Sequence, residues 1–437
     1  MSEVFSQTVK RDAPWVDPVT VAAGLGGGDG ALALLSDGGP GGRWSHVAQA
    51  PDVVQVGPVD EAAPFEALRN PLFAAGVVGL AAYDAGARPA TGRRETVWPD
   101  LMLARYPAML SFDHQRRSVC ATGRGATAEQ ATAAAERALT WLATAARVVT
   151  PSAPADRFEA EAPASAYRDA VADVVQRIGA GELFQANIAR AWSGELSPGR
   201  DPFEVFLRLQ KERASPFGAY WRIGDRALVS NSPELFLAFD PANRRIEARP
   251  IKGTRPRADD PDQDHALASE LRASLKDRAE NLMIVDLMRN DLARVSRPGS
   301  VQVQTLFEVE HHPTVHHLVS TVTAEAEQGV GPAELLEATF PPGSITGAPK
   351  HQAMKVIAAH EPPRGPWCGS LFLIGDGGAM TASVLIRTAG FVMKDGVWTY
   401  RTLAGAGIVA DSHPAAEEAE TDAKISALRQ ALIGPSA

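Results

Sequence analysis

The 437-residue sequence predicts a globular protein that mixes helices and strands, of the α/β or α+β class. Two observations predict this class. Segments with apolar residues at helical spacing alternate along the chain with short runs of β-branched and aromatic residues. The composition, 45% hydrophobic and 22% charged residues, is that of an ordinary folded protein rather than a disordered or fibrous one. A chain of this length can bury a large core.

The charge balance and the cysteine content exclude several classes of protein. With 43 Lys+Arg against 52 Asp+Glu, the net charge is −9, which argues against a general binder of nucleic acid or of anionic membranes. Two cysteines, Cys120 and Cys368, allow neither a disulfide framework nor a thiolate metal cluster. The N-terminus lacks a signal-peptide pattern, and no apolar run reaches 18 residues. We therefore expect a cytoplasmic protein.

Residues 1–150 form the first predicted region, which is rich in glycine and alanine. Its glycine clusters at 24–30 and 38–42 predict loops, with a short strand at 31–35 between them. Alanine and leucine at helical spacing predict an amphipathic helix over 126–148. The proline-rich stretch 151–164 predicts a linker to the rest of the chain.

Residues 165–437 form the second predicted region, a catalytic domain in which helices and strands alternate. The apolar periodicity predicts helices over 166–179, 202–212, 265–295, 332–339, 349–360 and 415–433. The β-rich runs predict strands at 227–230, 235–239, 300–309, 381–388 and 397–403.

Residues 249–257 are the most unusual local sequence, because they combine four cationic side chains with two prolines and a glycine. We expect a turn that presents Lys252 and turns the backbone N–H groups of Gly253 and Thr254 towards an anion. Lysine is a nucleophile only when neutral, and neighbouring positive charge lowers its pKa. A solvated basic loop is the alternative.

Residues 340–350 precede a helical pattern and contain glycine, serine, threonine and Pro349. Proline suits the first helical turn, and the small polar residues before it are suited to cap a helix or to bind an anion. The Gly-Lys-Ser/Thr of a Walker loop is missing. A purely structural helix entry is the alternative.

Carboxylates on two predicted helices suggest a metal site. Glu280 lies beside an apolar run in one helix, and Glu417 and Glu420 stand at i, i+3 in the last helix, with Lys424 on the same face. Oxygen ligands without a histidine or cysteine cluster suit Mg²⁺ better than zinc. A solvated salt bridge between Glu420 and Lys424 is the alternative.

Two further features predict little on their own. Gly405, Ala406 and Gly407 predict a turn after a strand, where a ligand could approach the backbone closely. The histidines at 311, 312, 316 and 317 do not have zinc-motif spacing. His317 is therefore either catalytic or buried and hydrogen-bonded.

Five of these segments occur in the order and spacing of the chorismate-utilising enzymes, which the chain resembles. They are residues 250–257, 280–291, 317–320, 343–350 and 405–412. This family includes the component I subunits of anthranilate and aminodeoxychorismate synthases and the isochorismate and salicylate synthases. The resemblance is strong over 165–433 and weaker at 42–45 and 76–84.

The resemblance implies an α+β fold of two packed β-sheets flanked by helices, with chorismate bound between them. It implies a Mg²⁺ site at Glu280, Glu417 and Glu420. It implies substrate contacts at Gly253, Thr254, Trp367, Arg387, Gly405, Ala406, Gly407 and Lys424. It implies catalytic roles for Lys252, Glu234 and His317, with Glu234 as the acid that protonates the departing C4 hydroxyl. That role requires burial to raise the pKa of Glu234.

Two positions distinguish among the reactions of the family. Water-adding members carry a lysine where this chain has Gln185, and glutamine cannot act as a general base. Anthranilate synthases typically have alanine where this chain has Lys252, whereas aminodeoxychorismate synthases typically have lysine. In that family model the lysine attacks C2 of chorismate and ammonia then adds at C4. The resemblance thus implies formation of 4-amino-4-deoxychorismate, a precursor of p-aminobenzoate and folate.

The resemblance also implies a partner, because the chain has no cysteine motif for a glutaminase of its own. A separate glutamine amidotransferase subunit would supply ammonia. Two alternatives stay open: an anthranilate synthase component I, and a degenerate, non-catalytic subunit that binds an amidotransferase. The second is motivated by departures from family patterns at Trp367, at residues 371–373 and at residues 380–383.

Overall fold

The structure is a computed structural model that describes residues 3–60 and 63–435. The strands of the first region are β1 (Gln7–Pro14), β2 (Leu32–Leu35), β3 (Trp44–Ala48), β4 (Val53–Gly57), β5 (Val77–Ala81), β6 (Leu101–Arg105), β7 (Ala108–Asp113) and β8 (Ser118–Gly125). Its helices are α1 (Pro18–Leu25), α2 (Tyr83–Thr91) and α3 (Ala128–Thr140). Short 3₁₀ turns occupy Glu66–Arg69, Pro71–Phe73 and Trp141–Thr144.

The rest of the chain adds further strands and helices to this set. The strands are β9 (Glu159–Ala160), β10 (Gln185–Glu195), β11 (Phe217–Ile223), β12 (Arg226–Ser232), β13 (Leu235–Asp240), β14 (Arg245–Ala248), β15 (Ile251–Pro256), β16 (Gln302–His311), β17 (Val315–Glu325), β18 (Gly347–Ala348), β19 (Ser370–Ile374), β20 (Met380–Val384), β21 (Thr388–Lys394) and β22 (Val397–Ile408). The helices are α4 (Ala164–Gly179), α5 (Pro202–Arg213), α6 (Pro261–Ala273), α7 (Leu275–Ala293), α8 (Pro332–Thr339), α9 (Lys350–His360) and α10 (Pro414–Ile433), with 3₁₀ turns at Gly343–Ile345 and Asp376–Gly378.

The strands form two antiparallel sheets, which confirms the α+β class with two packed sheets. Over the described residues, sheet A has 12 strands in the order β1-β8-β7-β3-β2-β11-β12-β21-β22-β10-β18, with β9 beside β10. Sheet B has 10 strands in the order β15-β17-β14-β13-β20-β19-β5-β6-β4, with β16 beside β17. Apolar side chains such as Trp221 of sheet A and Leu80 of sheet B share one buried cluster between the sheets. Helices cover the outer faces.

Both sheets contain strands from both predicted regions. In sheet A, β2 pairs with β11, and in sheet B, β5 pairs with β19. The predicted linker 151–164 is docked rather than free, since Ala155 is buried and its N–H donates to the carbonyl of Leu432 in α10. The domain boundary at residues 151–164 stays a prediction, and strands from each region complete the sheets of the other.

One predicted helix is two helices. The apolar pattern over 265–295 was expected to form a single helix, but α6 ends and α7 begins at Ser274. The Ser274 hydroxyl accepts a hydrogen bond from the N–H of Asp277, which caps α7. The break gives α7 its own start, one turn before Glu280.

The predicted strand over 381–388 is also divided, because the chain changes sheets within it. Strand β20 in sheet B ends at Val384, and β21 in sheet A begins at Thr388. Between them, Arg387 has a φ of +51°, a left-handed conformation that is uncommon outside glycine. This crossing aims the Arg387 side chain between the sheets.

Two predicted turns are strands. Residues 405–407 lie within β22 and pair with β10, so the small residues leave room inside a sheet rather than at its end. Residues 251–256 form β15, the edge strand of sheet B, which pairs with β17 through a bulge between Ile251 and Thr254. Among the described residues, no helix is both long and apolar enough to cross a membrane.

Candidate active site

A cavity of about 550 Å³ lies where the two sheets separate near α7 and α10. It is lined by all predicted site residues except Ala406: Glu234, Lys252, Gly253, Thr254, Glu280, His317, Trp367, Arg387, Gly405, Gly407, Glu417, Glu420 and Lys424. Ala406 is fully buried on the opposite face of β22, among apolar side chains of α4 and α9. Because side chains alternate along a strand, Gly405 and Gly407 face the cavity and Ala406 cannot.

The bulge in β15 presents Lys252 to the cavity. Gly253, with a φ of +88°, takes the conformation that the bulge requires. The Lys252 ammonium nitrogen donates to the carbonyl of Ser344 at 3.2 Å. Within the described residues, no carboxylate lies within ion-pair distance of this nitrogen.

The other cations of the 249–257 segment are neutralised by carboxylates. Their ion pairs are Arg249 with Glu310, Arg255 with Glu270 and Asp277, and Arg257 with Asp264. The solvated-loop alternative therefore fails for Lys252, and its three arginine neighbours are ion-paired, with side chains only 18–35% exposed. The segment isolates one amine inside a cavity.

Glu234 lies at the first crossing between the sheets, where β12 of sheet A gives way to β13 of sheet B. Only 4% of the residue is exposed, and this burial raises its pKa to about 7. A hydrogen bond with the Ser344 side chain and the charge of Lys252 oppose the rise. A carboxyl group with this pKa can hold a proton near neutral pH and give it up.

Arg387 lies at the second crossing, beside the first, because β12 pairs with β21 and β13 pairs with β20. In the described part of the chain, its guanidinium has no carboxylate within 4 Å. Burial lowers the pKa of Arg387, and the neighbouring charge of Arg213 lowers it further. An unpaired guanidinium in a cavity is suited to receive a carboxylate from a ligand.

The three glutamates predicted to bind metal face one wall of the cavity. The ammonium of Lys276 lies 3.9 Å from the carboxylates of both Glu280 and Glu417. Glu420 instead forms a 2.6 Å ion pair with Lys424, whose ammonium also donates to the carbonyl of Gly405 at 2.9 Å. Burial raises the pKa of Glu280.

This donor set fits a divalent cation in its chemistry. Among the described residues, no three acidic, histidine or cysteine side chains already stand in metal-binding geometry. Glu280 and Glu417 are nevertheless poorly exposed oxygen donors whose nearby cation, Lys276, stands too far away to hydrogen-bond either one. A buried carboxylate without a hydrogen-bonded cation costs free energy, and binding a cation would offset this cost. Oxygen ligands of this kind are those that Mg²⁺ prefers.

His317 is buried and contacts Thr254. Its Nδ1 lies 2.9 Å from the Thr254 hydroxyl, and only 2% of the residue is exposed. Burial lowers the pKa of His317, and the charge of Arg387 lowers it further, so the imidazole is neutral. A neutral ring can orient the hydroxyl of Thr254 towards a ligand.

Polar side chains of β10 reach the glycine face of β22 and lack partners. Both side-chain polar atoms of Gln185 and the Oδ1 of Asn187 are buried without a hydrogen bond to any part of the chain that the structure describes. A Cβ on Gly407 would stand 2.9 Å from Gln185 Nε2 and 3.4 Å from Lys252 Nζ. A Cβ on Gly405 would stand 2.7 Å from Asn187 Oδ1. A Cβ on Gly405 would also stand 2.9 Å from the carbonyl oxygen of Ile188, so glycine is required there, whereas a side chain at Gly407 would have to displace the ends of Gln185 and Lys252.

Trp367 forms the wall opposite these glycines, and its ring stands 3.1 Å from where a Cβ on Gly405 would lie. Its indole Nε1 is buried and has no hydrogen-bond acceptor in residues 3–60 and 63–435. A buried N–H in this state is rare unless a ligand or water completes it. The indole is a donor available to a substrate oxygen.

Lys350, the cation of the 340–350 segment, lies outside the site. Its ammonium forms a 2.6 Å ion pair with Asp291 and donates to the carbonyls of Thr339 and Pro341. The helix entry is thus structural at this residue. Ser344 from the same segment does line the cavity and contacts both Lys252 and Glu234.

Cavity residues that the sequence analysis did not name as site residues include Asn187, Arg213 and Lys276. Lys276 could have been found, because it stands four residues before Glu280, the spacing of a helical ion pair. Asn187 and Arg213 have no comparable local signal, since the fold alone brings them to the cavity. Ser344, which also lines the cavity, belongs to the 340–350 segment that the sequence did single out.

Comparisons with known proteins agree with this arrangement. The family model described as chorismate binding enzyme matches residues 41–430. Aminodeoxychorismate synthase component 1 of Salmonella typhimurium is 39% identical over 380 residues, 85% of this chain and 80% of that protein. Anthranilate synthase component 1 of Thermus thermophilus is 37% identical over 373 residues, 83% and 78% of the two chains. The crystal structure of anthranilate synthase component I from Streptococcus pneumoniae has a TM-score of 0.76 at 25% identity, over 88% of this chain and 92% of that one.

Proposed function

Because the chain belongs to the chorismate-binding enzyme family, we propose that it converts chorismate and ammonia to 4-amino-4-deoxychorismate. One observation carries this proposal: Lys252 is an amine without a carboxylate partner in the same cavity as Glu234, whose pKa is about 7. Together they supply a nucleophile and an acid. The relatives named aminodeoxychorismate synthase component 1 support the same reaction.

The first half of the reaction forms a bond to the enzyme. After the Lys252 ammonium has released a proton to solvent, its neutral nitrogen attacks C2 of chorismate, the ring double bonds shift, and the bond from C4 to its hydroxyl oxygen breaks. Glu234 donates its proton to that oxygen, so water leaves. The adduct keeps the Lys252 nitrogen as a charged ammonium, and Glu234 is left as a carboxylate.

The second half releases the product. Ammonia forms a bond to C4, the double bonds shift back, and the C2–N bond to Lys252 breaks, so the lysine departs as a neutral amine. The new ammonium group on C4 returns a proton to Glu234. Chorismate and ammonia become 4-amino-4-deoxychorismate and water, and both residues regain their starting states.

Other cavity residues would hold the substrate. The guanidinium of Arg387 and the Trp367 indole N–H are suited to carboxylate oxygens, and Thr254 is oriented by His317. Glu280, Glu417 and Glu420 would hold Mg²⁺, which would offset the charge of a substrate carboxylate. Lys424 would stand beside this site on α10. The word component in the names of relatives supports a partner subunit, and we propose a glutamine amidotransferase as the ammonia donor.

Anthranilate formation is the second candidate, and the 37% identity to an anthranilate synthase component 1 favours it. Lys252 is the contrary residue, because its amine reaches Ser344 across space that an alanine would leave open. The degenerate alternative loses support, since residues 371–373 and 380–383 form the β19–β20 pair outside the cavity. Among the departures from the family patterns, Trp367 does line the cavity.

A product assay tests the proposal. The protein is incubated near pH 7 with chorismate, MgCl₂ and an excess of an ammonium salt, and products are identified by mass spectrometry. We expect 4-amino-4-deoxychorismate, and p-aminobenzoate only when a lyase is added. Fluorescent anthranilate without a lyase would support the second candidate, and absence of turnover would support the degenerate one.

A further inference from the structure

The Tyr83–Asp84 pair at the start of α2 contacts the segment that carries Trp367. The Tyr83 N–H donates to the carbonyl of Gly365 at 2.9 Å, and the Gly365 N–H donates to the Asp84 carboxylate at 2.7 Å. Both residues are buried, at 2% and 6% exposure. The predicted N-terminal region is therefore hydrogen-bonded to the chain two residues before Trp367.

Arg364 connects Tyr83 to the Trp367 ring. Its guanidinium carbon lies 4.6 Å from the Tyr83 ring centre and 5.0 Å from the Trp367 ring centre. Its side chain is 1% exposed and is paired with Glu361 at 2.8 Å. In a buried site, such contacts between a cation and an aromatic face are strong.

The same guanidinium donates hydrogen bonds to two other segments that line the cavity. It donates to the carbonyl of Asn187 at 2.6 Å and to the carbonyl of Ile345 at 3.1 Å. Its partner Glu361 accepts the N–H of Ala189 at 2.7 Å. The guanidinium thus fixes β10, the Gly343–Ile345 turn and the Trp367 ring relative to one another.

We propose that Tyr83 and Asp84 are positioning residues for chorismate, which act through Arg364 to hold the Trp367 indole in the cavity wall. The inference rests on the proposed function, because it takes Trp367 as a substrate contact. Among the described residues the Tyr83 hydroxyl has no hydrogen-bond partner, so the ring and not the hydroxyl performs this role. The N-terminal region thereby takes part in substrate binding without touching the substrate.

A double-mutant cycle separates positioning from general support of the fold. Chorismate binding is measured by calorimetry for the wild type, Tyr83→Leu, Trp367→Phe and the double variant. Each single change should weaken binding by about tenfold, the loss of a buried cation–aromatic or donor contact. If the tyrosine acts through the tryptophan, the double variant should bind no more weakly than Trp367→Phe.

Two controls accompany the cycle. Tyr83→Phe keeps the ring and should bind chorismate like the wild type. Phe73→Leu removes a comparably buried aromatic ring from the same core cluster, away from Arg364, and should lower stability while leaving binding unchanged. If Tyr83→Leu does not fold, Asp84→Asn takes its place in the cycle, because it weakens the acceptor for the Gly365 N–H.

Several outcomes would overturn the inference: additive losses in the double variant, no loss in Trp367→Phe, or an equal loss in Phe73→Leu. The calorimetry does not depend on which product the enzyme forms. Coupled losses together with anthranilate as the product would therefore reject the proposed function and keep the positioning role.

Discussion

At the scale of single residues, Ser344 joins the proposed nucleophile to the proposed acid. Its carbonyl accepts the Lys252 ammonium and its side chain hydrogen-bonds Glu234. The charge of Lys252 in turn opposes the rise in the Glu234 pKa that burial causes. A substitution at Lys252 or at Glu234 is therefore expected to change the electrostatic environment of the other residue.

Replacing Lys252 by methionine should abolish the chemistry and keep the substrate. We expect turnover to fall by about 10²–10⁴-fold, the usual contribution of one group in the chemical step. Chorismate should still bind, because Arg387 and Trp367 remain. Steady-state kinetics and calorimetry measure the two quantities, and unchanged turnover would exclude Lys252 as the nucleophile.

The raised pKa of Glu234 predicts how stability depends on pH. Between pH 4.5, the ordinary value, and about 7, the folded protein holds a proton that the unfolded chain has lost. Stability from this group is therefore lost as pH rises through that window. Glu234→Gln, which cannot ionise, should gain on the order of 3 kcal/mol over the wild type between pH 4 and pH 8. Urea denaturation at both pH values measures this gain, and a constant difference would contradict the assignment.

The same residue predicts the pH dependence of the reaction. The protonated form of Glu234 is the one that can donate to the leaving oxygen, so kcat/KM should fall as pH rises above about 7. Removal of the Lys252 charge should move the pKa of Glu234 upward. A binding titration of Lys252→Met against pH reads that shift independently of turnover.

Lys276 should compete with Mg²⁺, because it stands between Glu280 and Glu417. Lys276→Gln should tighten Mg²⁺ binding about 30-fold, because two unit charges 4 Å apart in water repel by roughly 1 kcal/mol and the divalent ion doubles this to roughly 2 kcal/mol. Calorimetric titration with MgCl₂ in the absence of substrate measures it. Lys355→Gln, an exposed lysine on α9, is the control. Equal or weaker binding in Lys276→Gln would argue against competition.

At the scale of elements, the bulged edge strand β15 decides where Lys252 points. An unbroken strand would alternate its side chains, whereas the bulge shifts the pairing between Ile251 and Thr254. The sequence indicated a special backbone here, through two prolines and a glycine. It could not indicate a strand, because the pairing partner β17 lies about 60 residues later in the chain.

Gly253→Ala should damage both the bulge and the site. The alanine would keep a φ of +88° and place its Cβ 2.9 Å from Asp277 and Leu271. We expect a stability loss of at least about 1–2 kcal/mol by urea denaturation, together with loss of turnover. Gly224→Ala is the matched control, since its φ is +58° and nothing lies within 4 Å. It should lose stability and keep kcat; equal kcat in both variants would contradict the role of the bulge.

The elements that the sequence predicted well are those with local signals. The helix at 332–339 is confirmed at both ends, because Gly331 and Glu334 form its N-terminal cap. The strand at 381–388 was wrong because no local pattern records that residues on either side of Arg387 belong to different sheets. The site followed the same rule. Lys252 and Glu280 stand in recognisable segments and Glu234 was found through the resemblance, whereas the fold alone brings Asn187 and Arg213 to them.

At the scale of the whole molecule, the predicted boundary at 151–164 separates two stretches of sequence that share both sheets. We therefore expect one cooperative unfolding transition, coincident by circular dichroism and fluorescence. Trypsin can test this directly, because Arg147 is exposed and lies outside regular structure. After cleavage there, the two fragments should elute together in gel filtration. Separation without denaturant would mean that the regions are independent domains.

The position of α10 has a consequence for the protein as it is being made. Glu417, Glu420 and Lys424 lie on a helix that follows every strand of both sheets. A nascent chain still attached to the ribosome can therefore assemble its sheets while one wall of the cavity is missing. Strands β2 and β5 are synthesised long before β11 and β19, with which they pair. Until then each has an unpaired strand edge. The cavity is therefore complete only after α10 has been made, later than every strand of both sheets.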